Sequence, residues 1–335
     1  MISIKQIPET ILKKIVDLRN NRFDSGKAES HEVSKPVISI GNLSFGGSGK
    51  TPLTIAIAEE LIARGFKPAV IGRGYKRSDK SLSIISSGDR ILTGWKTAGD
   101  EMYLIAKKLP VPVIVNEKKY RAAEIAGSLN VDCILLDDGF QHRQLHRDID
   151  IAIVDRNTID NPFLSPRGHL REPIGNIRRA DFIFAHEGLI LTSIENLIIN
   201  KIIIRYKTVI CEPVNFFGSK NFVYGNEVIA FSGIANESRF RVSLEAKNIS
   251  LNQHLRYKDH YAYKSSDIEK IIERAKFTGT NQIITTEKDA VKLDEFSQLF
   301  SNSNIELFVL PIKITITHNK ELFFSNLETQ IRNQS

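Results

Sequence analysis

The chain has 335 residues, 41% of them hydrophobic and 25% charged, with two cysteines and a formal net charge of +7. It is long enough for two domains, and the widely separated Cys133 and Cys211 exclude a disulfide framework or a cysteine metal cluster. No run of about 18 apolar residues occurs, so no membrane-spanning helix is expected. The positive charge predicts an anionic partner without choosing among nucleotide, nucleic acid and membrane surface.

In chain order, Glu9 to Arg22 reads as an amphipathic helix, with Ile11, Leu12, Ile15, Val16 and Leu18 on one broad side. Lys13, Lys14, Arg19, Arg22 and Lys27 outnumber Asp17 and Asp24 around it. Such a helix either packs on the main domain, which the pattern alone favours, or lies in a membrane interface. A polar linker, SGKAESHEVSK, follows.

Val37, Ile38 and Ile40 then read as a buried strand that runs into Gly46, Gly47, Ser48, Gly49, Lys50 and Thr51. Behind them, Leu53, Ile57 and Leu61 carry a helical period. Strand, glycine-rich turn and helix opening on Gly-Lys-Thr is the setting of a phosphate-binding loop. Backbone N–H groups and the helix N-terminus hold phosphate, Lys50 reaches the β- and γ-phosphates, and Thr51 serves Mg²⁺. The strict pattern requires a glycine where Ser44 stands, and an ordinary glycine-rich turn is the alternative.

Lys67 to Ile71 is a second strand, ending in GRGYKR, which is either an anion-contacting loop or a solvated basic turn. Asp100 and Glu101 precede the helical stretch Met102 to Leu109. They either favour that helix end or place an acid where it takes a proton from a hydroxyl nucleophile. Val111–Val115 and Val131–Leu136 are further strands, and the second ends in Asp137 and Asp138. A strand ending in aspartate downstream of a Gly-Lys-Thr loop is how such enzymes present a carboxylate to Mg²⁺. After the strand Ile149 to Val154, the loop from Leu164 to Pro173 carries Arg167, Arg171 and Glu172. An arginine there neutralises charge on a transferring phosphoryl group.

Strands alternating with helices predict a mostly parallel sheet covered on both faces. The last third has its own alternation, with strands at 228–231, 249–255, 282–285 and 305–310, which predicts a smaller C-terminal α/β domain. The expected organisation is an N-terminal helix and linker over 1–35, a core over 36–205, and connecting strands with the smaller domain over 206–335. Between the later elements sit Tyr257-Lys258-Asp259-His260-Tyr261 and Thr286-Glu287-Lys288-Asp289. A loop reaching an interdomain cleft is where a second catalytic partner arises. The basic residues form no aromatic-interleaved patch, so no nucleic-acid partner is expected, and no obligate protein partner is evident.

Eight ordered segments resemble the tetraacyldisaccharide 4′-kinases of lipid A biosynthesis. They are ISIGNLSFGGSGKTP, with its non-glycine at Ser44, GRGYKR, AGDE, LLDDGFQHRQLHRDIDIAIVD, PRGHLREP, FSGIAN, KDHYAY and TTEKDAVK. The resemblance implies a P-loop NTPase core and transfer of the ATP γ-phosphate to the 4′-hydroxyl of an acylated glucosamine disaccharide 1-phosphate, giving lipid IVA. It implies Mg²⁺ dependence and a peripheral place on the cytoplasmic face of the bacterial inner membrane, an anionic surface. By position it implies Lys50 and Thr51 for ATP and Mg²⁺, Asp137 and Asp138 at the acidic strand end, and Glu172 as a further acid near the metal. Asp100 matches the general base and His260 its partner, while Arg77, Arg121 and Arg171 match basic positions around the cleft. With a membrane-bound acceptor implied, the N-terminal helix is expected to contact the membrane. A nucleotide-driven ATPase switch acting on a protein is the alternative reading.

Overall fold

The computed structural model describes residues 8–77 and 79–334; the first seven residues of the expected N-terminal segment lie outside it. The first eight strands are β1 (Val37–Asn42), β2 (Pro68–Gly72), β3 (Ser83–Ser87), β4 (Pro112–Val115), β5 (Cys133–Asp137), β6 (Ile149–Val154), β7 (Phe182–His186) and β8 (Ile202–Ile210). Then come β9 (Val214–Asn215), β10 (Val228–Ser232), β11 (Leu251–Arg256), β12 (Gln282–Thr286), β13 (Glu306–Leu310) and β14 (Ile312–His318). They form a nine-stranded sheet in the order β14-β8-β7-β6-β1-β5-β2-β4-β3 and a five-stranded sheet in the order β11-β10-β12-β13-β9. The large sheet is parallel except at its edges, where β3 and β14 run antiparallel to their neighbours.

Every position of β1 and of β5 is buried. That explains their continuous apolar runs, because helices cover both faces of the sheet. On one face, Leu53, Ile57 and Leu61 of the helix Lys50–Ala63 pack with Ile38, Ile40 and Leu135. On the other, Ala122, Ala123 and Ala126 of the helix Lys119–Gly127 pack with Ile134 and Leu136. Each fully buried aliphatic side chain contributes about 1.5–3 kcal/mol.

The expected end of the core at residue 205 is corrected in two ways. First, β8 runs to Ile210, and of the polar and aromatic stretch from Asn215 to Tyr224 only Asn215 enters a strand, the short β9. Second, the chain returns to the large sheet: β14 pairs antiparallel with β8. The helix Lys320–Asn333 then inserts Phe323, Phe324, Leu327 and Ile331 into the same cluster as Ile57 and Leu61. Arg64 locks it by ion pairs to Glu321 at 2.8 Å and Glu328 at 2.9 Å. The smaller unit is therefore an insertion between β8 and β14, with its own core around Phe231, Ile268, Ile283 and Leu307.

The strand order positions the site. β1 lies between β5 and β6, all parallel, so the loop leaving β1 sits between the ends of its two neighbours. Ligands in open α/β sheets bind at this carboxyl edge. The helix Asp100–Lys108 leads into β4, which puts its N-terminus on the same edge.

Candidate functional site

The loop after β1 closes around left-handed backbone: Gly49, at φ 83°, caps the helix that begins at Lys50, a conformation that costs an L-residue about 1–2 kcal/mol. Lys50 Nζ donates to Asn42 Oδ1 at 3.1 Å and lies 3.4 Å from both Ser48 Oγ and Asp138 Oδ1. Ser44, the mismatch to the strict motif, has a use here. Its buried hydroxyl accepts from Asn42 Nδ2 and donates to Asp155 Oδ2, both at 2.8 Å. A relay thus runs from the end of β6 through Ser44 and Asn42 to the Lys50 ammonium.

Asp137 and Asp138 end β5 in different surroundings. Asp137 is buried and accepts from Thr54 Oγ1 at 2.8 Å; burial, and then the neighbouring Asp138 charge, push its carboxyl upward. Asp138, at φ 50°, receives both hydrogen bonds of Arg171 Nη1 at 3.0 Å. Burial alone would raise Asp138, but Lys50, Arg171 and Lys119 outweigh it and hold that carboxyl well below the usual carboxylate range. The two carbonyls of the pair are anchored by one buried ammonium: Lys119 Nζ donates to Asp137 O at 2.9 Å and Asp138 O at 2.6 Å. Nothing in the spacing of Lys118 and Lys119 announced that role.

A second cluster joins the two sheets. Gly99, at φ 79°, precedes Asp100, and a Cβ there would stand 2.9 Å from Tyr75 O and 3.0 Å from Gly74 C. Glycine is what allows the AGDE turn to nest against GRGYKR. Asp100 is buried at the start of its helix and meets His260 Nδ1 at 2.8 and 2.9 Å. His260, at φ 60°, is fixed by its N–H to Gly233 O, and Asp289 holds the Gly233 N–H in turn. Burial alone would raise the Asp100 carboxyl; the His260 hydrogen bond and the Lys288 charge overcome it and hold Asp100 ionised.

The structure brings together Lys50, Ser48, Asp138 and Arg171 at one place and Asp100 with His260 at another. Thr51 is the second residue of the helix that Lys50 opens, half-buried. From the insertion, Arg239 Nη1 donates to Gly47 O at 3.0 Å, beside Gly46. Arg77 is buried against Gly74, and Arg121 lies exposed on the helix Lys119–Gly127. Glu172, expected as a further acid near the metal, sits among hydrogen-bond donors. It is fully buried and accepts from Arg179, Gln141, Asn176 and Asn20 between 2.7 and 3.3 Å. A buried carboxylate needs such donors, and through Asn20 they fasten it to the N-terminal helix.

That helix, Glu9–Asp24, packs on the main domain, the alternative its pattern alone favours. Leu12 and Val16 are buried with Leu164, Leu170 and Ile177. Ile11, Ile15 and Leu18, spaced i, i+4, i+7, form a separate stripe 50–66% exposed. No helix among the described residues is long and apolar enough to cross a membrane.

Compared with known proteins, residues 7–332 match the family described as Tetraacyldisaccharide-1-P 4'-kinase. A tetraacyldisaccharide 4'-kinase of Desulfotalea psychrophila is 36% identical, covering 84% of this chain and 85% of that relative. One of Halothermothrix orenii is 34% identical over 96% of this chain and 91% of its own length. A crystal structure of the Aquifex aeolicus protein in complex with ATP superposes with a TM-score of 0.76 at 32% identity, covering 96% of each chain.

Proposed function

The chain belongs to the tetraacyldisaccharide-1-phosphate 4′-kinase family, and from that premise we propose how its residues carry out the transfer. The enzyme moves the γ-phosphoryl group of ATP to the 4′-hydroxyl of a tetraacyldisaccharide 1-phosphate in lipid A biosynthesis. The observation that carries the assignment of roles is the 2.8 Å contact between Asp100 and His260, on the same sheet edge as a phosphate loop whose lysine already faces an aspartate.

Backbone N–H groups from Gly46 to Thr51 hold the ATP phosphates, and Lys50 exchanges Asp138 for phosphate oxygens when ATP binds. Thr51, Asp137 and Asp138 are an all-oxygen donor set of the kind Mg²⁺ takes, and they fit that ion without Glu172. A bound Mg²⁺ would neutralise charge between the β- and γ-phosphates. Arg171, 3.0 Å from Asp138, is positioned to balance charge on the moving phosphoryl group. As the new O–P bond forms and the β–γ bridge breaks, Asp100 takes the proton of the 4′-hydroxyl. The His260 hydrogen bond orients the carboxylate; such general-base help is worth about 10²–10⁴ in rate. The exposed Ile11, Ile15 and Leu18 stripe, with Lys13 and Lys14 on the same helix, contacts the anionic cytoplasmic face of the inner membrane, where an acylated acceptor resides.

The test is incubation with γ-labelled ATP, Mg²⁺ and an acylated glucosamine disaccharide 1-phosphate. Label is expected in the glycolipid and is lost on chelation. Slow ATP hydrolysis with no labelled glycolipid would overturn the reading.

A further inference from the structure

The segment TTEKDAVK has no part in the transfer steps proposed above, yet it approaches the Asp100–His260 pair from the insertion. Lys288 Nζ lies 2.8 Å from Glu101 Oε1, 3.2 Å from His260 Nε2, 3.5 Å from Asp259 Oδ1 and 3.9 Å from Asp100 Oδ2. Asp100, Glu101 and His260 offer ligand atoms within 4.8 Å of one another, a spacing suited to a metal. The ammonium of Lys288 already stands among them as a built-in cation.

We propose that Lys288 is a positioning residue for transfer: by donating to His260 Nε2 it fixes the ring as the Nδ1–H tautomer, which aims the imidazole proton at Asp100. The proposal deepens the reading of Asp100 as the base. The argument is one of donors and acceptors. An ammonium has three donors and no acceptor, so a hydrogen bond from Lys288 requires a bare Nε2. The ring proton then sits on Nδ1, within 2.9 Å of both Asp100 oxygens. Burial would strip the Lys288 proton, but Glu101, Asp100 and Asp259 more than offset this and keep it charged. Glu101 Oε1 and Asp259 Oδ2 also face Nε2, each at 3.6 Å, but the Lys288 ammonium is nearer at 3.2 Å and is itself paired with both carboxylates. Three further groups pack on the cluster. Lys292 is buried 4.0 Å from Asp100 and tied to Asp289 at 2.8 Å, Lys76 donates to Asp259 O, and the Tyr75 ring meets the imidazole edge-on at 4.8 Å.

The test is ¹⁵N NMR of histidine-labelled enzyme, with the His260 signals identified by their loss in His260→Gln. Wild-type His260 is expected to show a protonated Nδ1 and a bare Nε2 at neutral pH. A proton on Nε2 in the wild-type protein overturns the proposal without any variant. Lys288→Met should abolish the single tautomer and lower kcat about tenfold to hundredfold, the size of one lost charge-assisted hydrogen bond, with KM for ATP unchanged. In the His260→Gln background the same substitution should add little. An unchanged tautomer and kcat in Lys288→Met also overturns it. Asp100→Asn separates the two levels: full activity there sinks the base assignment itself, whereas its inactivity beside an unaffected Lys288→Met sinks the lysine's role alone.

Discussion

The two sites on the carboxyl edge of the large sheet are built in different ways. The phosphate loop is local: Lys50 is held by Asn42 eight residues away and by Ser48 two residues away, and its acidic neighbour comes from the adjoining strand. The Asp100 cluster is remote: Asp100 and His260 are 160 residues apart, one on a helix of the large-sheet unit and the other in a turn of the insertion. Around that contact the two units meet through charged pairs, Lys107 with Asp294 at 2.8 Å, Lys96 with Glu295 at 3.1 Å, and Lys108 with Glu287. A polar seam of this kind opens more readily than an apolar one. The donor side is preorganised mainly by one sheet, the insertion adding only the Arg239 bond to Gly47 O, whereas the acceptor side is complete only while the insertion is seated on it.

Substitutions should separate the two sides. The largest combined effect, on transfer and on ATP binding together, is expected from Lys50→Ala, which removes the cation aimed at the phosphates. Transfer should fall by at least about 10²–10³ and ATP binding should weaken, read by steady-state kinetics and ATP titration. Normal kcat would move the donor site elsewhere. Asp100→Asn keeps the shape of the second cluster but not its base. A fall in kcat of about 10²–10⁴ is expected, with the ATP dissociation constant unchanged; a matching loss of ATP affinity would merge the two sites into one.

The same contrast explains what the sequence disclosed. The parallel core was readable because strands buried on both faces become short apolar runs, as in β1 and β5. The phosphate loop was readable because its parts are consecutive. β14 reads IKITITH, and its alternate half-burial is the expected imprint of an edge strand, but nothing local says which sheet it joins. Its pairing with β8 depends on a return of the chain after the whole insertion. Glu172 shows the converse limit. Its residue type suits a metal, and only the four surrounding N–H donors reveal that its lone pairs are already taken. Lys288 was visible as part of a motif, but its place beside His260 Nε2 depends on the docking of two units.

A smaller effect should come from within the donor side. Ser44→Ala cuts the link between Asn42 and Asp155, leaving buried polar groups short of a partner. A destabilisation of about 1–3 kcal/mol is expected, measured by urea unfolding, with a modest rise in KM for ATP as Lys50 loses its fixed orientation. Unchanged stability and KM would mean that the lysine is positioned by the loop alone, and that the donor side owes nothing to the end of β6.

The smallest effect on the chemistry should follow from replacing Ile11, Ile15 and Leu18 together by serine, since this stripe belongs to neither cluster. Leu12 and Val16 carry the packing of the helix, so the fold should remain intact. With detergent-dispersed acceptor, kcat should match the parent enzyme. With acceptor in anionic vesicles, partitioning should weaken by roughly tenfold for each apolar side chain that had been buried in lipid, and the apparent KM should rise in step. Equal partitioning of parent and variant would leave the stripe an ordinary exposed surface. A fall in kcat with dispersed acceptor would instead point to coupling between the helix and the Asp138 side. Glu172 is the physical route for it, because it binds Asn20 of this helix and Arg179 while its neighbour Arg171 holds Asp138.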